Sequence, residues 1–250
     1  MIKLYRFFTR RPELNHDEAV RDWTERHVPI VVEALGDRLV GYATNVAQSV
    51  SWFGEPTEAP PYDGFDELWL DVSWGGSRGA GAAVAMRSEI RALFDGAPAI
   101  AESERQFSGL TLPMVAEEIV QKQTGRAHTF KLAELLVRAR DLTWEQAREV
   151  WLRDHVPFVR ETWGDAIVHY TTNLGLTNPF TQRFPEEAPP YDGIAEIYFG
   201  MTPAAFSEGL LETAGVMIPD ETAFLGTYRG MLVEETLHVA PGVARPELLD

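Results

Sequence analysis

The sequence predicts an α+β fold built twice over, as two consecutive βαββαβ units in one chain of 250 residues. Three observations carry this reading. The heptapeptide EAPPYDG occurs at Glu58–Gly64 and again at Glu187–Gly193. Landmarks around the two copies recur in the same order: Lys3-Leu4 with Lys131-Leu132, Trp23 with Trp151, and His27-Val28-Pro29 with His155-Val156-Pro157. Tyr42, Thr44 and Asn45 likewise match Tyr170, Thr172 and Asn173, and Glu67 matches Glu196. Within each copy, the apolar period switches between the two-residue repeat of a strand and the 3.6-residue repeat of a helix. The repeating unit is far longer than that of a solenoid.

Each copy opens on a strand rich in apolar and aromatic residues, IKLYRFF in the first and HTFKLAELLV in the second. Helix starts follow at Asn15 with Glu18 and at Thr143 with Gln146, both at capping-box spacing. The first helix aligns Val20, Trp23, His27, Val31 and Ala34 on one stripe, and its counterpart aligns Ala147, Trp151, His155 and Val159. Pro29 and Pro157 each remove one helical N–H, which predicts a kink just after the histidines. Gly36 and Gly164 end these helices as glycine does just past a C-cap.

The second strands are RLVGYATNVA and AIVHYTTNLG; the third are FDELWLDV and IAEIYFGM. A second helix and a last strand complete each unit, with MVAEEIV (Met114–Val120) echoed by MLVEETL (Met231–Leu237). This order is that of the ferredoxin-like unit, an antiparallel sheet with two helices on one face. The other face of each sheet must also be covered, so the two units are expected to close on each other as a pseudo-dimeric α+β barrel. The expected boundaries are 1–125 for the first unit, 126–240 for the second and 241–250 for a tail. The long connection carrying EAPPYDG is stiffened by Pro60-Pro61 and Pro189-Pro190, and Asp-Gly turns it into the third strand. Tyr62 and Tyr191 are thereby placed either over a pocket mouth or against the opposite unit.

Composition excludes several classes of function. A net charge of −16 leaves no basic stripe for a nucleic-acid backbone. Absence of cysteine removes disulfides, thiolate metal sites and thiol nucleophiles. The six histidines stand singly, outside any metal-ligand spacing, so no metal is expected. The glycine-rich WGGSRGAG (Trp74–Gly81) lacks a P-loop lysine and reads as a connection. No apolar run is long enough to span a membrane, and MIKLYRFFTRR does not have the form of a signal peptide; the expectation is a cytoplasmic protein without a membrane partner.

The chemistry-bearing candidates come in pairs. His27 and His155 sit on apolar helix stripes, one turn after Trp23 and Trp151, where an imidazole serves either as acid or base in a pocket or as a hydrogen-bonded core residue. Glu67 and Glu196 lie between aromatic or aliphatic neighbours on the third strands. If that face looks toward the helices, each Glu meets a His and forms a dyad; the alternative is that both line the interface between the sheets. Tyr42 and Tyr170 are candidates to bind a substrate carbonyl. Gly41 in the first unit corresponds to His169 in the second, so the halves need not be equally active, and the second is favoured.

The W-x-x-x-H-x-P helix, the GY-x-x-N strand of the first unit and the YDG-x-x-E strand together resemble the EthD family of the dimeric α+β barrel superfamily. In the second unit DETAF (Asp220–Phe224) is similar to that family's acidic-x-x-x-Phe segment, whereas the first has AESERQF and shares only Phe107. The resemblance implies a barrel enzyme on a hydrophobic small molecule, with His27, His155, Glu67 and Glu196 as catalytic candidates. Trp23, Trp151, Tyr42, Tyr170, Tyr62, Tyr191 and His169 are the candidate substrate contacts. The leading expectation is cofactor-free acid/base chemistry (cyclisation, dehydration or isomerisation) on an aromatic or polyketide-like compound. The alternatives are a monooxygenase or haem-dependent oxidoreductase, with His155 or His169 as haem ligand, and a non-catalytic ligand-binding or accessory protein. A homodimer of the fused barrel is left open.

Overall fold

The computed structural model describes residues 2–48, 60–72, 80–176 and 191–241. Pro189, Pro190, most of the WGGSRGAG segment and nearly all of the tail lie outside the described residues. Strands β1 (Ile2–Arg10), β2 (Leu39–Ala47), β3 (Gly64–Leu70) and β4 (Ser108–Gln123) come from the first half of the chain. Strands β5 (Phe130–Arg138), β6 (Ile167–Gly175), β7 (Gly193–Phe199) and β8 (Leu225–Val239) come from the second. All eight close into one antiparallel barrel in the order β1-β3-β2-β8-β5-β7-β6-β4. The halves are stitched together where β2 pairs with β8 and β4 with β6. Closure leaves no free sheet edge.

Helices α1 (His16–Arg21), α2 (Val28–Leu35), α3 (Ala80–Asp95) and α4 (Pro98–Phe107) belong to the first half. Helices α5 (Trp144–Val150), α6 (Val156–Trp163) and α7 (Pro203–Thr222) belong to the second. Both expected capping boxes form. The Asn15 side chain accepts from the Glu18 N–H at 2.9 Å, and the Thr143 hydroxyl accepts from that of Gln146 at 3.2 Å. Instead of a simple kink at Pro29 and Pro157, a π-helical turn (Asp22–His27 and Trp151–His155) joins each pair of helices. There the N–H of Val28 reaches Trp23 O and that of Val156 reaches Trp151 O, five residues back. The wider turn advances the helical register, so Leu35 is buried beyond it while Ala34 is exposed.

Strand alternation sorts side chains between two environments. Leu4, Tyr42, Leu68, Leu132, Tyr170 and Ile197 face the helices, whereas Tyr5, Phe7, Phe65, Leu135, Ile194 and Met231 fill the barrel lumen. Glu67 and Glu196 also face the lumen, between the sheets, and with them two of the chain's three lysines. The Lys3 ammonium donates to Glu67 and to Glu196, each at 2.7 Å, and pairs with Glu118 at 2.9 Å. Lys131 pairs with Glu67, with Glu196 at 2.7 Å and with Glu235 at 2.8 Å. Asn45 donates to Glu67 at 2.8 Å, and Asn173 to Glu196 at 3.0 Å. Burial works against charge on both lysines, but the surrounding carboxylates outweigh it and hold their pKa values well above the ordinary one. Burial and the nearby Glu196 push Glu67 up to about 8, while the two lysines overcome burial to hold Glu196 well below the usual range.

The repeated heptapeptide serves the architecture residue by residue. Tyr62 and Tyr191 meet edge to face with centroids 6.3 Å apart, so each packs against the opposite half rather than over a pocket mouth. Asp63 and Asp192 accept the N–H of Arg10 at 2.7 Å and of Arg138 at 2.9 Å, and pair with the same arginines' guanidinium groups. Gly64 and Gly193 admit the tryptophans: a Cβ there would stand 2.8 Å from the Trp23 ring and 2.6 Å from that of Trp151.

Replacing Lys131 with Met strands buried carboxylates and is expected to cost about 3–5 kcal/mol in denaturant unfolding. Because Glu67 holds its proton up to about pH 8 when folded, against an ordinary pKa of 4.5, its stabilising contribution is complete below pH 4.5 and is lost as pH rises toward 8. Glu67→Gln should therefore flatten the fall in Tm across that window, read by scanning calorimetry.

Candidate functional site

Of the two alternatives for the glutamates the structure shows the second, at the interface between the sheets, and no His–Glu dyad forms. Glu67 and Glu196 are on the lumen side of the sheet, and His27 and His155 are on the helix side, because neighbouring residues of a strand point to opposite faces. His169 is also lumen-facing: its ring lies 5.0 Å from Tyr198, on the other face from Tyr170. Its counterpart Gly41 is hemmed in by Trp69 and Pro241, where a Cβ would come within 2.9 and 2.8 Å, which is why only one half carries a side chain there. Trp23 and Tyr42 do gather with His27 beneath the helices of the first half, and Trp151 and Tyr170 gather with His155 in the second.

The first of these two clusters is closed by its own residues. Asp66, adjacent to Glu67, points to the helices and accepts from Trp23 Nε1 at 2.8 Å and from the Tyr42 hydroxyl at 2.8 Å. Arg6 is its direct partner in the β1–β3 pairing and also holds Glu104. Burial raises Asp66 to about 6, with Arg6 acting in the opposite direction. His27 Nδ1 lies 2.7 Å from the Ser103 hydroxyl, whose single hydrogen goes to the Ile100 carbonyl at 2.9 Å. His27 therefore donates from Nδ1, and its Nε2 is buried without a hydrogen-bond partner. Burial and the Arg6 charge lower its pKa to about 3. It is a neutral core histidine.

The second cluster differs at each of these positions. Asp220 takes the place of Ser103, and its carboxylate accepts from His155 Nδ1. That bond orients the ring and leaves Nε2 with the lone pair. Burial lowers the His155 pKa, and Asp220 partly restores it. Glu134 takes the place of Arg6, and Ala195, its partner in the β5–β7 pairing, takes the place of Asp66. Glu134 is half-buried and pushed up to about 8 by desolvation and by Glu221. Glu221 is itself raised to about 7 by burial and by Asp220, while a hydrogen bond from Tyr228 acts the other way. Tyr228 is 46% exposed, so the cluster reaches the surface beside it. Phe224 walls it, with ring centroids 5.0 Å from His155 and 6.4 Å from Trp151. The second cluster thus sets two half-buried acids of raised pKa beside a carboxylate-bound histidine.

Sequence reasoning passed over Asp66, Arg6, Ala195 and Glu134. The available signal was the comparison of the two halves on the face opposite the glutamates, where a cross-strand arginine and aspartate become an acid and a small residue.

An eight-stranded antiparallel barrel jacketed by helices, with its polar clusters between sheet and helix, places the chain among the α+β barrel proteins. Residues 139–227, which include the His155–Asp220 pair, match the family model of the EthD domain. No curated protein matches the sequence. A solved structure described as an anthrone oxidase-like protein shares the fold with a TM-score of 0.54 at 10% identity, covering 98% of this chain and 95% of that one. A candidate monooxygenase from Fusobacterium nucleatum subsp. nucleatum aligns with a TM-score of 0.51 at 8% identity, covering 97% and 95%. Among the described residues no helix is long and apolar enough to cross a membrane, and no group of His, Asp and Glu is arranged to hold a metal ion.

The hydrogen bonding of His27 makes a direct prediction. Nitrogen-detected NMR should show its Nδ1–H tautomer unchanged from pH 8 to pH 5, whereas titration near pH 6.5 would contradict the assignment.

Proposed function

We propose that the chain is a fused pair of ferredoxin-like units in which the second, residues 126–240, is the active domain of a small-molecule enzyme. The first, residues 1–125, is a structural partner. The reaction class is proton abstraction from carbon beside the carbonyl of a hydrophobic aromatic compound, the step that initiates cyclisation, dehydration and isomerisation alike. The observation that carries this is the His155–Asp220 hydrogen bond, which the first half replaces with a histidine–serine contact. His155 is the base: it is neutral at pH 7, its free Nε2 takes the proton, and Asp220 stabilises the imidazolium. The neutral carboxyl group of Glu134 is placed to return a proton. Phe224 and Trp151 supply the apolar wall that an aromatic ring needs.

The oxidative reading shares this first step, because the carbanion formed is also the electron donor in a reaction with dioxygen. A haem reading has one supporting observation: a histidine with a carboxylate on Nδ1 has the donor arrangement of an axial ligand. In that case His155 would hold the iron, and haem would supply the redox chemistry. A Soret band on haem titration that vanishes in His155→Ala would support that reading, and no band would remove it.

Deuterium exchange into 2-acetonaphthone and anthrone, followed by proton NMR, tests the base. The wild-type chain should accelerate exchange, and His155→Ala should lower the rate about 10²–10⁴-fold. Asp220→Asn should lower it too, and should move the acid limb of the pH profile further down, because Asp220 raises the His155 pKa. Oxygen uptake coupled to exchange would select the oxidative branch. Equal exchange by wild type and His155→Ala would refute the proposal.

A further inference from the structure

The second-half cluster contains two buried donors with nothing to donate to, and the first half shows what they lack. Trp151 Nε1 and the Tyr170 hydroxyl are buried without a hydrogen-bond partner of ordinary geometry. They are close enough that the indole favours the phenolate form of Tyr170. Their counterparts Trp23 and Tyr42 converge on one atom, Asp66 Oδ1. Ala195 has no such atom. A buried donor left unpaired is costly, so an acceptor arriving at this point recovers free energy.

The charge of that acceptor is set by the neighbouring change. In the first half the carboxylate is balanced by Arg6. In the second, Glu134 stands in place of the cation, and Asp220 carries its charge into the same cluster. Among the described residues no cation replaces Arg6, and an anionic ligand would face the Asp220 carboxylate. A neutral oxygen with lone pairs meets two N–H or O–H donors and an uncharged acid.

We propose that Trp151 Nε1 and the Tyr170 hydroxyl form a carbonyl-binding subsite that takes a neutral ketone or quinone-type oxygen of an aromatic ligand and discriminates against carboxylates of the same shape. The proposal rests on the reading of His155 as base and names the substrate class for it. When His155 removes the proton from the adjacent carbon, the C–H electron pair forms a C=C bond and the carbonyl π pair moves onto oxygen. The resulting oxyanion lies on the two donors, where preorganised N–H and O–H groups stabilise it most.

Titration calorimetry with 2-acetonaphthone and with 2-naphthoate, a ketone and a carboxylate on the same ring, tests the subsite apart from catalysis. The ketone should bind the wild-type chain at least about tenfold more tightly than the carboxylate. Ala195→Asp, which restores the first-half acceptor between the donors, should weaken the ketone about tenfold or more. Tyr170→Phe, a smaller change in a buried position, should weaken it by a similar factor. Loss of exchange in His155→Ala tests the base alone, because ketone binding is measured separately. The subsite is refuted if the wild-type chain binds no ketone or binds both ligands equally. It is also refuted if Tyr170→Phe leaves ketone affinity unchanged.

Discussion

The barrel depends on a pair of lysines buried where its two halves meet. Lys3 and Lys131 each pair with two glutamates of their own half and one of the other, so the buried charges of the two halves form a single network. An isolated half would lose the contacts that cross between Lys3 and Glu196 and between Lys131 and Glu67. The coupling runs outward from there. Trp69 donates to Glu118 and lies under the Lys3 ammonium at 4.4 Å, while Tyr198 donates to Glu235 below Lys131. The tyrosines of the two repeated heptapeptides meet further along the same lumen. Duplication within one chain gives this interface a partner at every molecule, independent of concentration.

While the lumen holds the halves together, the helix-facing side is where their polar clusters have diverged. In the first, Trp23 and Tyr42 both donate to Asp66, which lies across from Arg6 in the strand pairing, and burial and the Arg6 charge lower the pKa of His27. The second retains the tryptophan, tyrosine and histidine but has exchanged the residues that saturate them. Such unsatisfied groups are costly in a purely structural role, and the cost is the reason to regard this half as the one that meets a ligand. The π-helical turn between Trp and His is common to both clusters, so it places the side chains without deciding which half is reactive.

Much of this was legible in the chain itself. Repetition, capping boxes and strand alternation located the elements, and the same alternation placed Glu67 and Glu196 together on one face of the third strand. Which face looked inward was not legible, because both are apolar: Leu68 and Ile197 point one way, Phe65 and Ile194 the other. A barrel packed on both sides of its sheet gives each strand a nearly continuous apolar run, and the sign of the alternation is lost. The histidine–glutamate pairing turned on that degeneracy; the histidines meet Ser103 and Asp220 instead, both on helices distant in the chain.

The sequence by itself determined the duplication, the order of elements and the role of EAPPYDG as the connection into the third strand, since all of these depend on local spacing. The tertiary structure alone decided that two lysines share two glutamates across the lumen, and that Asp220, remote in the chain, closes on His155. It alone showed that Ala195 leaves Trp151 and Tyr170 without an acceptor. These features involve residues far apart in sequence, which come together through packing of helix on sheet within the second half and, for the lysines, through closure of the barrel.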